Sequence, residues 1–219
     1  MSKPASTETT PLDGAASKTS SSSSPEGPNY PWLIVTLTVF LGIGFALAYG
    51  SFVLDGHAEL YATKFHTIAA MELQWIFLAL VVLGRTISLL NFVPTGYKKG
   101  MKGNIRSNPF FLETDDNAKT MVVFKEDGPL GAYNRTNRSV HHMIENSGGL
   151  FAGVAAIGWV FPRPVFVWTV VFCLGRVFHQ KGYSQGYGGH ALGFAASLFS
   201  TVALEGLALL TFFKGQGWM

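Results

Sequence analysis

The chain has 219 residues, of which 48% are hydrophobic and only 13% are charged, and its mean hydropathy is +0.27. A soluble domain usually has about a quarter of its residues charged, so this composition favours lipid as the solvent. The formal net charge is only +3 and the basic residues are scattered, which argues against nucleic acid as a partner. The single cysteine, Cys173, excludes a disulfide framework and a cysteine metal site, and we expect it to pack as a small apolar side chain.

The N-terminal segment, residues 1–30, is rich in Ser, Thr, Pro and Gly and holds almost no large apolar side chain. Such a segment buries too little apolar surface to offset the entropy lost on ordering, so it is predicted to be disordered. Residues 31–55 follow, and from Trp32 to Leu54 they are long and apolar enough to cross about 30 Å of hydrocarbon as a helix. They are the first predicted membrane span.

A short polar link, Asp55–Lys64, leads to a second predicted span over about His66–Val93, which Pro94 closes. Residues 95–136 form a long polar loop, with a short strand expected at Met121–Phe124. Three further spans are predicted at Asn137–Phe161, Val165–Tyr183 and Ala191–Phe213, separated by Pro162-Arg163-Pro164 and by a glycine-rich turn. The fold class is therefore an all-α integral membrane bundle of about five spans.

Lys and Arg collect on one side of this predicted bundle. With five crossings, the N-terminal tail, the long loop and the glycine-rich turn share one face, and that face holds most of the basic residues. The positive-inside rule therefore predicts a cytosolic N-terminus and a cytosolic long loop. The membrane is expected to be that of the endoplasmic reticulum or of another organelle.

Two predicted spans carry ionisable residues on a single face. Arg138, His142 and Glu145 follow the spacing i, i+4, i+7 in the third span. Arg176, His179 and Tyr183 follow i, i+3, i+7 in the fourth.

A tight turn makes these two spans antiparallel neighbours, so the two faces can meet. Glu145 and Arg176 then lie about two turns deep, and a buried ion pair between them is predicted. The pair either only fastens two helices together or belongs to a polar pocket for a small charged ligand.

Other polar positions give weaker signals. Glu72, Arg85 and Glu205 are isolated and are interpreted as interhelical partners or as groups reaching the interface. Glycines 148, 149 and 153 are expected to permit close helix contact. His141 lies about 100° around the helix from His142, so no metal site is predicted.

Two sequence blocks resemble a known family. Asn137–Asn146, NRSVHHMIEN, resembles the Arg-Ala-His-x-Asn-x-x-Glu-Asn signature of MAPEG proteins, the membrane-associated proteins of eicosanoid and glutathione metabolism. Gly175–Tyr183, GRVFHQKGY, resembles their Gly-Arg-Val-x-(His/Tyr)-x-x-x-Tyr block. The resemblance continues through His190-Ala-Leu-Gly193 to Gly217-Trp218. Within the family, the chain is most similar to the microsomal glutathione transferase branch that also has peroxidase activity.

The resemblance implies a MAPEG-like four-helix domain over residues 66–219, to which residues 31–55 add one extra N-terminal transmembrane helix. It further implies a homotrimer that binds glutathione as co-substrate at subunit interfaces near the cytosolic side. The implied glutathione-binding residues are Arg138, His142, Glu145, Arg176, His179 and Tyr183. The implied chemistry is attack by the glutathione thiolate on a lipophilic electrophile or a lipid hydroperoxide that arrives from the membrane lipid.

The sequence departs from the family pattern at two positions. His142 stands where the signature has Asn, and no arginine follows Arg176 to stabilise the thiolate. His190 is the nearest replacement, so His190 and Tyr183 are the predicted catalytic residues. Two alternatives remain: a catalytically weak or inactive MAPEG-like scaffold subunit, and a small transporter or channel subunit, although the sequence lacks the inverted repeat of many transporters.

Overall fold

A computed structural model describes residues 27–97, 110, 112–114, 122–186 and 188–218. Within these residues the chain forms six helices and one two-stranded antiparallel ribbon. The elements are α1 Tyr30–Asp55, α2 Ala58–Ala70, α3 Gln74–Gly96, β1 Leu112–Thr114, β2 Val122–Phe124, α4 Gly128–Ile157, α5 Pro162–Gln185 and α6 Ala191–Gly215. Most of the predicted disordered tail and much of the predicted 95–136 loop lie outside the described residues.

Three of the described helices, α1, α3 and α6, are long and apolar enough to cross a membrane. Large apolar side chains project from them into the surroundings: Phe45 of α1 is 72% exposed and Phe199 of α6 is 67% exposed. The other two predicted spans correspond to α4 and α5, with 30 and 24 residues, which are long enough but more polar. The architecture is thus helical, with three candidate membrane-crossing helices.

The bounds of α1 and the start of α6 agree with the sequence prediction, whereas α3 continues past Pro94, which was predicted to close it, and ends at Gly96. Helix α1 begins after Asn29, whose side-chain oxygen accepts a hydrogen bond from the backbone N–H of Trp32 at 3.0 Å, and it ends at Gly56 with φ of 70°. Helix α5 begins at Pro162, three residues before the predicted start at Val165, because the first turn of a helix tolerates proline: the N–H groups there have no partner within the helix. Helix α6 begins at the predicted residue, Ala191.

The predicted second span is wrong in its first eight residues, 66–73. Residues 58–70 form a separate helix, α2, and a turn at residues 71–73 divides it from α3. Glu72 in this turn has φ of 57°, a left-handed conformation that breaks a helix and is uncommon for a residue with a side chain. Its carboxylate pairs with the guanidinium of Arg163 at the start of α5, which confirms Glu72 as an interhelical partner. The described chain therefore has six helices rather than a four-helix core with a single extra helix.

Helix α4 begins at Gly128, nine residues before the predicted span. The sequence there is polar and was assigned to the loop, but tertiary hydrogen bonds fix it as helix. Asn134 donates its side-chain N–H to the carbonyl oxygen of Lys125 at 2.9 Å. Val122–Phe124 forms the expected strand and pairs with Leu112–Thr114, a partner that the sequence did not reveal.

Helices α3 to α6 pack around one apolar core, and α1 packs mainly on α3. Leu83, Val154 and Val165 in this core have no exposed surface, and Cys173, at 3% exposure, packs among them as expected. Helices α5 and α6 approach most closely at glycines: a Cβ on Gly193 would collide with the backbone of His179.

The glycines of α4 that were predicted to permit close helix contact do not pack against another described helix. A Cβ added to Gly148 or Gly149 would meet nothing within 4 Å, and one added to Gly153 would touch only Ile157 of its own helix. The prediction of close contact at these glycines is therefore wrong within the described chain. They leave the outer face of α4 smooth and unoccupied by other described residues.

The ends of several helices meet at one end of the bundle, which we call the polar end. Tyr97, after α3, donates its hydroxyl hydrogen to the Ser184 oxygen of α5 at 3.0 Å. The ring of His190, before α6, lies 5.1 Å from that of Tyr183. Gly27, before α1, lies beside the Tyr97 ring. The start of α1, the loop ends and the glycine-rich turn therefore share one end, as the sequence predicts.

Candidate functional site

A cavity of about 230 Å³ opens at the polar end, between α4, α5 and the start of α6. Its lining consists of polar and aromatic side chains from these elements: Arg138, Ser139, His142, His179, Tyr183, His190 and Phe194. Five of the seven sequence-predicted site residues are in this lining, and the other two, Glu145 and Arg176, are not.

Arg138 is the accessible cation of the cavity. Its side chain is 56% exposed, and one terminal nitrogen lies 3.9 Å from a carboxylate oxygen of Glu145, itself 57% exposed. An ion pair of this length between exposed groups contributes little to stability, about 0–1 kcal/mol. Arg138 can therefore exchange Glu145 for an anionic ligand at small cost.

Arg176 lies behind the cavity wall and positions it. The residue is only 3% exposed, and its Nη2 donates a hydrogen bond to the backbone oxygen of Ser139 at 2.8 Å. Its Nη1 lies 3.3 Å from Nδ1 of His142. A guanidinium can only donate, so this contact requires Nδ1 of His142 to accept, and the ring proton is then on Nε2. Arg176 thus fixes both the place and the tautomer of a cavity residue.

The predicted ion pair between Glu145 and Arg176 is wrong. Glu145 pairs with Arg138, whereas Arg176 contacts Ser139 and His142. Side chains on a helix lean toward its N-terminus, which for Glu145 is the direction of Arg138. Glu145 also stays exposed there, which avoids the cost of burying its charge.

Ser139 and His179 form a contact that the sequence analysis missed. The Ser139 hydroxyl oxygen lies 2.8 Å from Nδ1 of His179, and both residues are buried. The signal was the spacing of three residues between Ser139 and His142, which places both on one face of α4. This hydrogen bond joins α4 to α5 and orients the His179 ring toward the cavity.

The aromatic rings of the cavity form one cluster. His179 stacks on Tyr183 with ring centres 5.7 Å apart, and His190 meets both rings edge-on at 5.4 Å and 5.1 Å. The Nδ1 atom of His190 is buried and has no hydrogen-bond partner within the described part of the chain. A buried polar atom of this kind is costly, so His190 is a natural donor or acceptor for a ligand.

Arg135 is a second residue that the sequence analysis missed. Its side chain donates hydrogen bonds to the backbone oxygens of Tyr183 and Ser184, both at 3.1 Å, and to that of Glu126 at 2.5 Å. Arginine commonly satisfies the last carbonyl groups of a helix, here those of α5. The sequence signal that could have revealed Arg135 was its spacing of three residues from Arg138. The hydrogen bonds of Arg135 hold the backbone that carries Tyr183.

A larger groove of about 680 Å³ runs between α4 and α6 next to this cavity. Glu145 lines the groove, as do Gly149 and Gly153 of α4 and Glu205 of α6. Glu145 therefore belongs to the boundary between the cavity and the groove. Among the described residues, no group of three or more His, Cys, Asp and Glu side chains could hold a metal ion.

Comparison with family models, with curated proteins and with solved structures gives no match to this chain. The geometry defines a class: a helical protein with three candidate membrane-crossing helices and a cationic, histidine-rich cavity at one end.

Proposed function

We propose that this protein is a glutathione-dependent transferase or peroxidase that acts on lipophilic electrophiles or lipid hydroperoxides at a membrane. The observation that carries the proposal is the convergence of Arg138, His142, His179, Tyr183 and His190 on one cavity. These residues come from the two sequence blocks that resemble MAPEG proteins and from the turn after them. Packing of α3 to α6 around one core also supports a MAPEG-like four-helix unit, to which α1 and α2 would be additions.

Glutathione has two carboxylates and one amine, and the cavity margin offers matching charges. Arg138 would bind a carboxylate, since a guanidinium and a carboxylate make strong charge-assisted hydrogen bonds. Glu145, 3.9 Å away from it, would bind the amine. Arg176 would act through His142 and would not touch the ligand.

The chemistry would begin with the thiol. A free thiol has a pKa near 8.5, so hydrogen bonds from Tyr183, His190 or Nε2 of His142 would increase its thiolate fraction at neutral pH. In conjugation, the sulfur forms a bond to an electrophilic carbon, and the leaving group takes the electron pair. In peroxide reduction, the sulfur attacks the hydroperoxide O–O bond and releases an alcohol, and a second glutathione converts the sulfenic acid to a disulfide and water.

The size of the cavity supports a site that is shared between copies. Sites for small ligands usually have about 300–1,000 Å³, and this cavity has about 230 Å³. A neighbouring copy would supply the remaining wall, in agreement with the homotrimer that the resemblance implies. The lipophilic substrate would reach the sulfur from membrane lipid beside α6.

The proposed membrane topology has five crossings, by α1, α3, α4, α5 and α6, with the polar end in the cytosol. Grouping of the helix ends at the polar end supports the odd number of crossings. The membrane would be that of the endoplasmic reticulum or another organelle.

Calorimetric titration of the detergent-purified protein with glutathione tests the proposal. We expect saturable binding that Arg138→Ala weakens by about tenfold or more, since a charged hydrogen-bond partner contributes about 1.5–3 kcal/mol. Glu145→Gln is expected to abolish saturable binding while the helical content is kept. Arg163→Ala is the matched control, because Arg163 is an exposed arginine at the opposite end. Absence of binding, or equal losses in Arg138→Ala and Arg163→Ala, would refute the proposal.

A second candidate function is a MAPEG-like scaffold subunit without catalysis. It is favoured by the imidazole of His190 in place of a guanidinium, because an imidazole is a weaker stabiliser of a thiolate. Turnover separates the two: the enzyme hypothesis expects conjugation or hydroperoxide reduction that Tyr183→Phe lowers. Binding of glutathione with no turnover of either substrate class would favour the scaffold.

A further inference from the structure

Two charged side chains in the candidate membrane-crossing helices lack a partner. Arg85 lies at the centre of α3 and Glu205 near the centre of α6. Neither makes a hydrogen bond or an ion pair with any other residue that the structure describes. A charge at this depth in hydrocarbon is expensive unless it is paired or faces water, so each side chain needs a partner from outside the described chain.

Among the described residues, none of those that line the groove around Arg85 is acidic. Arg85 lines this groove of about 170 Å³ between α1 and α3, together with apolar side chains and two threonines. The hydroxyl groups of these threonines are already used within their own helices: Thr38 donates to Ile34 at 2.8 Å and Thr86 to Val82 at 2.9 Å. The guanidinium is partly buried and points into a groove that a second molecule could reach.

Glu205 presents the complementary charge on a different surface. It lies exposed in the groove of about 680 Å³ between α4 and α6. Gly149 and Gly153 form part of the groove wall, and an added Cβ on Gly149 would meet nothing within 4 Å. Small residues of this kind let the backbone of another helix approach closely in a membrane.

The two charges also lie at similar depth. Tyr97 and His190 mark the polar end, since Tyr97 contacts Ser184 and His190 contacts the adjacent Tyr183. At ~1.5 Å per residue, Arg85 is about 18 Å below Tyr97, which contacts Ser184, and Glu205 is about 22 Å below His190, which contacts Tyr183 one residue lower on α5. The two backbone positions therefore differ in depth by about one helical turn, ~6 Å. Side chains lean toward the N-terminus of their own helix, so Arg85 extends away from the polar end and Glu205 extends toward it, which narrows this gap. Copies inserted in the same orientation can therefore bring the two charged groups to one level.

We propose that Arg85 of one copy pairs with Glu205 of a neighbouring copy, so that the α1–α3 groove of one copy seats against the α4–α6 groove of the next. The two surfaces differ, so the interface is head-to-tail and closes into a ring when the rotation permits. The inference depends on membrane crossing but not on glutathione chemistry.

Charge reversal tests this contact. Two differently tagged copies of the full chain are co-expressed, and their co-purification from gently solubilised membranes is measured. Arg85→Glu and Glu205→Arg, each present in both copies, are expected to lower co-purification about tenfold, and a chain with both changes is expected to recover most of it. Lys214→Glu, an exposed change at the end of α6, is the matched control and should have no effect.

Cross-linking gives a second readout that does not depend on charge reversal being tolerated. One tagged copy carries Arg85→Cys and the other carries Glu205→Cys, and a bifunctional thiol reagent joins them in the membrane. We expect much more product than with Phe199→Cys, which is 67% exposed and lies on a different side of α6.

Several outcomes would overturn the proposal. One is equal cross-linking by Glu205→Cys and Phe199→Cys. Another is co-purification that the double reversal fails to recover. A third is sensitivity to Arg85→Glu alone, with no effect of Glu205→Arg, which would assign Arg85 to an anionic lipid. Glutathione plays no part in these readouts, so a failure of the proposed enzymatic function would be seen separately in the binding titration.

Discussion

Replacement of Arg176 by methionine separates a structural role of this residue from a functional one. The side chain is 3% exposed, and among the described residues it contacts no carboxylate, only the Ser139 carbonyl and His142. Removal of the Arg176 side chain has two opposing effects on the free energy of unfolding. Loss of its charged hydrogen bond costs about 1.5–3 kcal/mol, whereas removal of a buried unpaired charge recovers several kcal/mol of desolvation.

We therefore expect Arg176→Met to change the free energy of unfolding by less than about 1 kcal/mol, or to increase it, because methionine fills a similar volume. Glutathione affinity should nevertheless fall by about tenfold or more, equivalent to about 1.4 kcal/mol, because His142 loses the partner that fixes its tautomer. The assays are unfolding in detergent followed by circular dichroism, and calorimetric binding. Arg176→Lys should keep the charge and recover only part of the affinity, since it lacks the planar fork. A loss of more than about 3 kcal/mol in stability with unchanged binding would refute this reasoning.

The remaining predictions concern helix packing and pH. Gly193→Ala places a Cβ against the backbone of His179 and should destabilise the protein by about 1–3 kcal/mol, measured by thermal unfolding; Gly206→Ala, with nothing within 4 Å, is the control and should be neutral or stabilising. The Tyr61 hydroxyl hydrogen-bonds to Asp55 at 2.5 Å, which, with the carboxylate charge, raises the pKa of Tyr61 above its ordinary value. Ultraviolet titration should therefore show fewer late-ionising phenols, by one, in Tyr61→Phe than in the unchanged protein. The hydrogen bond from Tyr61 to Asp55 stabilises the fold at pH values below the ordinary pKa of a tyrosine, and this contribution is lost as the pH rises through the raised pKa of Tyr61. An unchanged titration in Tyr61→Phe would contradict this prediction.

The sequence could predict the helices whose ends are marked by capping residues and whose interiors are continuous apolar runs. An unbroken apolar run, an Asn cap and a glycine end define α1. The two prolines before Val165 marked the start of α5 only to within three residues, because proline also fits the first turn of a helix. Helix α2 and the first turns of α4 could not be predicted in this way, because their sequences are polar. The start of α4 depends on hydrogen bonds such as that from Asn134 to Lys125, which form only after folding.

The candidate site was predictable to the level of helix faces. The spacing of Arg138 and His142, and of His179 and Tyr183, places each pair on one face, and two antiparallel helices bring the faces together. Helical spacing does not say which neighbour a side chain selects. Glu145 was therefore paired with the wrong arginine. Arg135 was missed because its partners are backbone oxygens 48 and 49 residues away, which leave no side-chain signature.

The location of bound glutathione tests the central claim most directly. A photoreactive glutathione derivative is irradiated with the full chain in membranes, and labelled peptides are identified by mass spectrometry. We expect labels on the peptides that carry the cavity residues Arg138, His142, His179, Tyr183 and His190, and we expect unlabelled glutathione to prevent this labelling. Labelling that glutathione does not displace, or that falls on α1 and α3 instead, would contradict the account.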